Sequence, residues 1–101
     1  MSLQDSVFQL TRRVPAGKVT TYRVIAAHLG NPKLARAVGN ALNKNTDFKN
    51  IPCHRVVRSD GHVGGYARGG SEKIKKLRRE GVLIKQGSVV DLPSRLFYYI
   101  E

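Results

Sequence analysis

The sequence predicts a mostly α-helical domain with a small β-hairpin, of the winged helix-turn-helix-like class. Three observations predict it. Apolar residues recur at helical spacing in several segments. A Gly-Asn-Pro turn joins two of those segments. Near the end, the stretch VLIK-QG-SVV is typical of two short strands and a tight turn. The chain has 101 residues, which is enough for one domain with a modest core.

The first three helices follow from the spacing of their apolar residues. Residues 3–14 are predicted to form the first helix, which should stop at the proline and glycine that follow. Thr20 or Thr21 is expected to cap the second helix. The Gly-Asn-Pro turn separates it from a third helix over about residues 33–44. The helix-turn-helix is therefore expected at about residues 21–44.

The second half of the chain is less regular. Residues 45–70 are rich in turn formers and predict a long loop, and such loops are often functional. Ser71 is expected to cap a fourth, basic helix that ends at Gly81. The hairpin follows. We expect one domain over residues 1–90, with residues 91–101 as a C-terminal tail or the start of a linker.

The charge balance favours a polyanionic partner, most simply nucleic acid. The chain has 18 Lys and Arg against 7 Asp and Glu, a formal net charge of +11. The alternative is a soluble protein that is merely basic. No apolar run is long enough to span a membrane, and the first residues do not resemble a secretory signal. The single cysteine excludes an internal disulfide and indicates a reducing compartment, the cytoplasm or, in a eukaryote, the nucleus.

The third helix has an unusual outer face of small and amide side chains around one arginine. A glycine inside a helix costs about 1 kcal/mol relative to alanine, so Gly39 needs a reason. Close approach by another surface is one reason. The other is that Gly39 packs against a neighbour and the alanines serve helix propensity. The face consists of Ala35, Arg36, Gly39, Asn40 and Asn43.

The cysteine lies in the sequence IPCHRVV, at residues 51–57. A neighbouring His or cation makes a thiol a better nucleophile, and His54 and Arg55 follow Cys53. On an extended chain Cys53 and His54 would point opposite ways, unless the backbone turns there. The alternative is a buried structural cysteine. A metal site is not expected, since Cys53 and the three histidines lack the paired spacing of zinc ligands.

These residues resemble the O6-alkylguanine-DNA alkyltransferase (methylated-DNA–protein-cysteine methyltransferase) family, in its C-terminal catalytic domain. The resemblance is carried by IPCHRVV, by RAVGNALNKN before it and by SDGHVGGYARGG after it, and extends from about Phe8 to Gly81. It implies DNA repair by direct transfer of an alkyl group from O6-alkylguanine to the cysteine, once per protein molecule. It also implies a monomer that binds double-stranded DNA through the minor groove, without a cofactor.

The resemblance further implies catalytic roles at five positions. Cys53 would accept the alkyl group, and His54 would take its proton through a water. Glu80 would orient His54, Asn45 would brace the turn before the active-site loop, and Tyr22 would donate a proton to the departing guanine. From the residues alone, Glu80 could be an ordinary helix-surface charge paired with Lys76, four residues earlier, and Tyr22 could be a core aromatic at the start of a helix.

The implied substrate and DNA contacts lie mainly on the third helix and the loop. Arg36 would fill the space left by an extruded nucleotide, because chemistry on a base requires that the base leave the stack. Other residues would line the minor groove, read the guanine edge through backbone carbonyls, or wall the pocket. They are Ala35, Ala37 and Gly39 for the groove, Cys53 and Val56 for the guanine edge, and Tyr66 and Ala67 for the wall.

Two other functions compete with alkyl transfer. The first is a related lesion-binding protein that flags alkylated DNA without transfer, although such proteins typically replace the reactive cysteine. The second is a helix-turn-helix regulator that reads a sequence in the major groove. Such a regulator usually dimerises, and the sequence has no clear dimerisation segment. Two departures from the family pattern, the spacing in YARGG and Phe48 before the active-site proline, leave the substrate preference open.

Overall fold

The computed structural model describes residues 2–64 and 70–99, which contain five α-helices and four strands of two residues each. The helices are α1 (Leu3–Arg12), α2 (Tyr22–His28), α3 (Ala35–Leu42), α4 (Gly70–Arg79) and α5 (Leu92–Arg95). The strands are β1 (Thr20–Thr21), β2 (Val56–Val57), β3 (Ile84–Lys85) and β4 (Ser88–Val89). The predicted fold class, mostly helical with a small hairpin, is confirmed.

Side-chain caps fix the starts of the first two helices. At α1, Ser2 Oγ accepts the backbone N–H of Asp5 at 3.1 Å, and Asp5 reciprocates on the backbone of Ser2. At α2, Thr21 rather than Thr20 is the cap, because its Oγ1 accepts the N–H of Val24 at 3.0 Å. Helix α1 ends at Arg12, two residues earlier than the apolar spacing predicted.

The helix-turn-helix consists of α2, a single 3₁₀ turn at Pro32–Leu34 and α3. Asn31 caps that turn by accepting the N–H of Lys33 at 3.0 Å. Helix α3 therefore begins at Ala35, two residues later than expected, because proline and the cap hold the preceding residues in the tighter turn.

Two small sheets complete the architecture. Strands β1 and β2 pair in parallel, with Thr20 opposite Val56. Strands β3 and β4 form the predicted hairpin, and its turn residues Gln86 and Gly87 have φ values of 52° and 77°. Positive φ at both central residues is the geometry that matches the twist of a two-residue hairpin.

One predicted helix cap was wrong. Helix α4 already includes Gly70, so Ser71 lies inside its first turn and is not the cap. The predicted end is confirmed, since α4 stops at Arg79 and Gly81 adopts a left-handed φ of 91°. Glu80 thus lies where the helix ends.

The apolar core has two parts that meet at β2. Val56 belongs to the part between α1, α2 and α3, whereas Val57 belongs to the part beneath α4 and the hairpin. Successive strand residues point to opposite sides, so this one strand joins both halves. Cys53 lies in the first part, three residues before the junction.

The segment after the hairpin packs on the body. The N–H of Phe97 donates to the carbonyl of Val19 at 2.7 Å, and the hydroxyl of Tyr99 donates to the carbonyl of Leu10 at 2.8 Å. No helix in the described part of the chain is long and apolar enough to cross a membrane.

Candidate active site and nucleic-acid interface

The cysteine lies in a single 3₁₀ turn, Cys53–Arg55, directly before β2. The N–H of Cys53 donates to the carbonyl of Ile51 at 2.8 Å, and the N–H of Arg55 donates to the carbonyl of Pro52 at 2.9 Å. The backbone therefore turns at the cysteine. Parallel pairing of β2 with β1 anchors the end of this turn in the core.

Asn45 holds both the turn and the sulfur. Its Nδ2 donates to the carbonyl of Ile51 at 3.0 Å and to Sγ of Cys53 at 3.3 Å, and its Oδ1 accepts the N–H of Asp47 at 2.8 Å. Both Asn45 and Cys53 are buried. A hydrogen bond donated to sulfur stabilises the thiolate more than the thiol.

The next residue, His54, pairs with Glu80 at the end of α4. Nε2 of His54 lies 3.0 Å from Oε2 of Glu80, and both side chains are largely covered. Arg55 joins the same carboxylate, with Nε 3.0 Å from Oε1 and Nη2 2.6 Å from Oε2. Glu80 thus pairs with the active-site turn, which accounts for the one acid at the end of a basic helix.

Burial and charge act in opposite directions on this pair. Burial lowers the pKa of His54, although the hydrogen bond and charge of Glu80 partly offset that effect. Burial by itself would raise the pKa of Glu80, but the hydrogen bonds from Arg55 and His54 hold it below the ordinary value. At neutral pH the arrangement is a neutral imidazole beside a carboxylate anion, which is a competent general base.

Lys73, on α4, is a site residue that the sequence did not reveal. It is fully buried, and its Nζ donates to the carbonyl of Val56 at 2.7 Å and lies 3.4 Å from the hydroxyl of Tyr22. Burial lowers the pKa of Lys73 to about 8, and a negative charge on Cys53 would act in the opposite direction to a smaller extent. An ammonium that interacts with a thiolate supplies its counter-charge. Among the residues of α4, only the four-residue spacing between Lys73 and Leu77 hinted that this lysine faces inward.

Tyr22, the first residue of α2, lies between the buried lysine and an open cavity. It packs against the core around Cys53, as the core-aromatic interpretation expected, and it also lines the cavity. Burial, together with the charge of Cys53, raises the pKa of its hydroxyl. Tyr22 therefore retains its proton at neutral pH.

The outer face of α3 forms one wall of that cavity, which has a volume of about 380 Å³. Ala35, Arg36 and Gly39 line it, and Arg36 is exposed. Ala37 is not among the lining residues, because it lies on another side of the helix. The remaining lining residues are Tyr22, Arg23, Asn40, Asn43, Arg58 and Ser59.

The geometry at Gly39 bears on the two explanations for a glycine there. A Cβ built on Gly39 would lie 3.8 Å from the ring of Tyr22, which is an ordinary contact. Internal packing therefore does not require glycine at this position. The small outer face is explained better by an external surface that approaches α3 closely.

The remaining predicted positions are Val56, Tyr66 and Ala67. The carbonyl of Val56, expected to read the guanine edge, already accepts the ammonium of Lys73, which leaves one lone pair for a second donor. The expected pocket wall, Tyr66 and Ala67, lies outside the described residues. Within residues 2–64 and 70–99, no group of three or more His, Cys, Asp or Glu residues could hold a metal ion.

Comparison with known proteins identifies the family. Residues 2–82 match the family model of the 6-O-methylguanine DNA methyltransferase DNA-binding domain. The chain belongs to this family. Among relatives, a bifunctional methyltransferase/endonuclease of Picrophilus torridus is 44% identical over 89 residues, which cover 88% of this chain and 30% of the relative. A methylated-DNA–protein-cysteine methyltransferase of Saccharolobus islandicus is 49% identical over 81 residues, covering 80% of this chain and 52% of the relative.

Solved structures of the family share the fold. Atl1 of S. pombe, in complex with damaged DNA containing O6-carboxymethylguanine, has a TM-score of 0.85 and 30% identity, covering 98% of this chain and 100% of that chain. Mycobacterium tuberculosis OGT in complex with DNA has a TM-score of 0.76 and 34% identity, and the match covers 80% of this chain and 49% of that chain. The chain spans about half, or less, of the length of the curated relatives named above.

Proposed function

We propose that this domain is a DNA repair alkyltransferase, which transfers an alkyl group from O6 of guanine in double-stranded DNA to Cys53. The observations that carry the proposal are a buried thiol that accepts a hydrogen bond from Asn45 and, on the next residue, an imidazole paired with Glu80. In this proposal the DNA-binding domain is also the catalytic one, corresponding to the C-terminal domain of longer family members.

The thiol is activated by proton transfer to His54. Nε2 of His54 is engaged by Glu80, so Nδ1 takes the proton of Cys53 through a bridging water. The carboxylate stabilises the imidazolium that forms, and Lys73 and Asn45 stabilise the thiolate. The negative charge on sulfur therefore develops in a site prepared for it.

The thiolate then attacks the alkyl carbon in line. A sulfur–carbon bond forms, the carbon–O6 bond breaks, and its electron pair moves into the purine. Tyr22 donates its proton to a ring nitrogen, so guanine leaves neutral, and the ammonium of Lys73, 3.4 Å from the hydroxyl, stabilises the tyrosinate. The imidazolium of His54 later returns a proton through solvent, which balances the charges. The thioether is stable, so each molecule reacts once, without a cofactor.

The cavity beside α3 is proposed as the DNA-binding surface. Its small side chains allow the minor groove to approach closely, and Arg36 occupies the space of the extruded nucleotide. The excess of positive charge binds phosphates without reading sequence. Tyr22 faces this cavity and contacts the core around Cys53, so it lies between the DNA surface and the thiol.

The decisive experiment is intact-protein mass spectrometry after incubation with a duplex that contains one O6-methylguanine. We expect one methyl group to replace the thiol hydrogen of Cys53, located by peptide mapping, in no more than one copy per chain. A Cys53→Ser variant is the control and should remain unmodified. If the wild-type mass is unchanged under conditions where the duplex is bound, transfer is excluded.

A lesion-binding role without transfer is the second candidate. It is favoured by the likeness to Atl1, whose whole length the match covers. Cys53 argues against it, since a binding role requires no nucleophile. Tight binding of the modified duplex with no change in mass would favour this role.

The extent of the domain and its cellular place complete the proposal. We propose that the functional unit is a monomer and that residues 91–101 form its C-terminal tail or lead into a linker. The protein would act in a reducing compartment that contains DNA, which is the cytoplasm or, in a eukaryote, the nucleus.

A further inference from the structure

Arg55 joins three separate segments of the chain at the active site. Its Nη1 donates to the carbonyl of Val14 at 2.7 Å, beyond the end of α1, while Nε and Nη2 bind the two oxygens of Glu80. A guanidinium matches a carboxylate in this two-pronged way, and a lysine ammonium cannot. Arg55 therefore fixes the position of Glu80 relative to the turn that carries Cys53 and His54.

Oε2 of Glu80 is shared between Arg55 and His54, at 2.6 Å and 3.0 Å. A carboxylate whose sole partner was the imidazole would favour the protonated imidazolium. His54 would then already carry a proton and could not accept one from Cys53. A second cation on the same oxygen competes for its negative charge. The shared oxygen therefore still orients the imidazole but favours its protonation less than an unshared carboxylate would.

We propose that Arg55 is a positioning residue that holds Glu80 against His54 and keeps the imidazole neutral until it takes the proton of Cys53. This inference rests on the proposed alkyl transfer, which it deepens by assigning the group that sets the resting state of the base. Arg55 does not touch the reacting atoms; it acts through Glu80.

The charges around His54 agree in sign with this role. Burial lowers the pKa of His54 most, and Arg55 from the same turn and Lys76 from α4 lower it further. Glu80, just past the end of α4, raises it. Arg55 acts on the carboxylate in the opposite sense to burial, holding the pKa of Glu80 below its ordinary value. Removal of Arg55 therefore favours the protonated imidazole.

The test is an NMR titration of the His54 ring in wild type, Arg55→Gln and Arg55→Lys. We expect the pKa of His54 to rise by about one pH unit in Arg55→Gln, on the scale typical of a nearby charge. Arg55→Lys retains a cation without the two-pronged geometry and should show a smaller shift of the same sign. An Arg79→Gln variant, which removes a cation from the neighbouring position, should titrate like wild type.

A second readout is the pH profile of alkyl transfer to Cys53 from free O6-benzylguanine. The ratio of the rate at acid pH to the rate at pH 8 should fall in Arg55→Gln and remain unchanged in Arg79→Gln. An unchanged His54 titration in both Arg55 variants would overturn the inference, even where transfer itself is intact. If Arg55→Gln does not fold, the direction of the Arg55→Lys shift decides. A wild type that transfers nothing would refute the proposed function, whereas the titration tests Arg55 independently of transfer.

Discussion

Lys73 shows how a single residue exchanges stability for reactivity. A fully buried ammonium is costly, and a pKa lowered from 10.5 to about 8 corresponds to about 3 kcal/mol at neutral pH. The same buried position places the ammonium where it can stabilise a thiolate at Cys53. Natural active sites commonly retain such strain where a charge serves the chemistry.

Replacement of Lys73 by methionine should therefore separate the two effects. We expect iodoacetamide to modify Cys53 about tenfold more slowly at pH 7, because the thiolate loses its counter-charge. The free energy of unfolding should not decrease, since relief of the buried charge offsets the lost hydrogen bond to Val56. Thiol modification followed by mass spectrometry, and urea denaturation, measure the two quantities.

Lys75→Met is the matched control, because Lys75 is exposed on the same helix. It should alter neither the modification rate nor the stability appreciably. Equal thiol reactivity in Lys73→Met and wild type would show that the ammonium does not act on the sulfur.

At the scale of elements, α3 is less stable than its sequence could make it. Gly39 lowers helix propensity in the middle of an eight-residue helix, and a Cβ there would meet Tyr22 only at an ordinary distance of 3.8 Å. The missing side chain lowers the stability of α3, but it also allows another surface to approach the helix closely.

Gly39→Ala should accordingly stabilise the protein and weaken DNA binding. We expect a gain of about 0.5–1 kcal/mol in the free energy of unfolding, from helix propensity. The added methyl group would project from the α3 wall of the cavity toward the bound DNA. Overpacking on the order of 1 kcal/mol there corresponds to about fivefold weaker binding. Urea denaturation and fluorescence anisotropy with a labelled duplex give the two values.

The control is Gly70→Ala, a glycine-to-alanine change in α4 where a Cβ meets no atom of residues 2–64 or 70–99 within 4 Å. It should leave DNA affinity unchanged. A Gly39→Ala variant with wild-type affinity would show that this face of α3 does not meet DNA closely.

For the whole molecule, local signals predicted most elements, whereas the pairing of β1 with β2 and the contacts of Lys73 did not emerge from the sequence. The pairing of His54 with Glu80 was expected only because of the resemblance to the family. Helix spacing, caps and the hairpin turn lie within a few residues of one another, so α1 to α4 and the hairpin could be predicted. The pairing of β1 with β2 joins two-residue strands far apart in the sequence, and strands so short carry no alternation. Lys73 looks like an ordinary surface cation in the sequence, and Arg55 stands out there only as a cation after Cys53. Their contacts with Val56 and Glu80 depend on the tertiary structure.

The same buried groups determine how the stability of the molecule depends on pH. The folded pKa of His54 lies below its ordinary value of 6.5, so the unfolded chain binds a proton first as pH falls below about 6.5, and stability decreases. Lys73 makes the stability of the folded protein increase further at alkaline pH. Between about 8 and 10.5 the folded protein has released the proton that the unfolded chain still binds. Tyr99 reverses the trend above its ordinary value of 10, because burial raises its folded pKa to about 12.

We therefore predict that stability increases from about pH 5 to a maximum near pH 9 or 10, in contrast to the usual maximum between about pH 5 and 8. The large net positive charge acts in the same direction, since self-repulsion weakens as lysines lose their protons. Urea denaturation at constant ionic strength across this range measures the profile. In Lys73→Met the rise between pH 8 and 10.5 should be lost, while the decrease below pH 6.5 remains. A wild-type profile that is flat or falling above pH 8 would mean that the Lys73 ammonium is not destabilised in the folded protein.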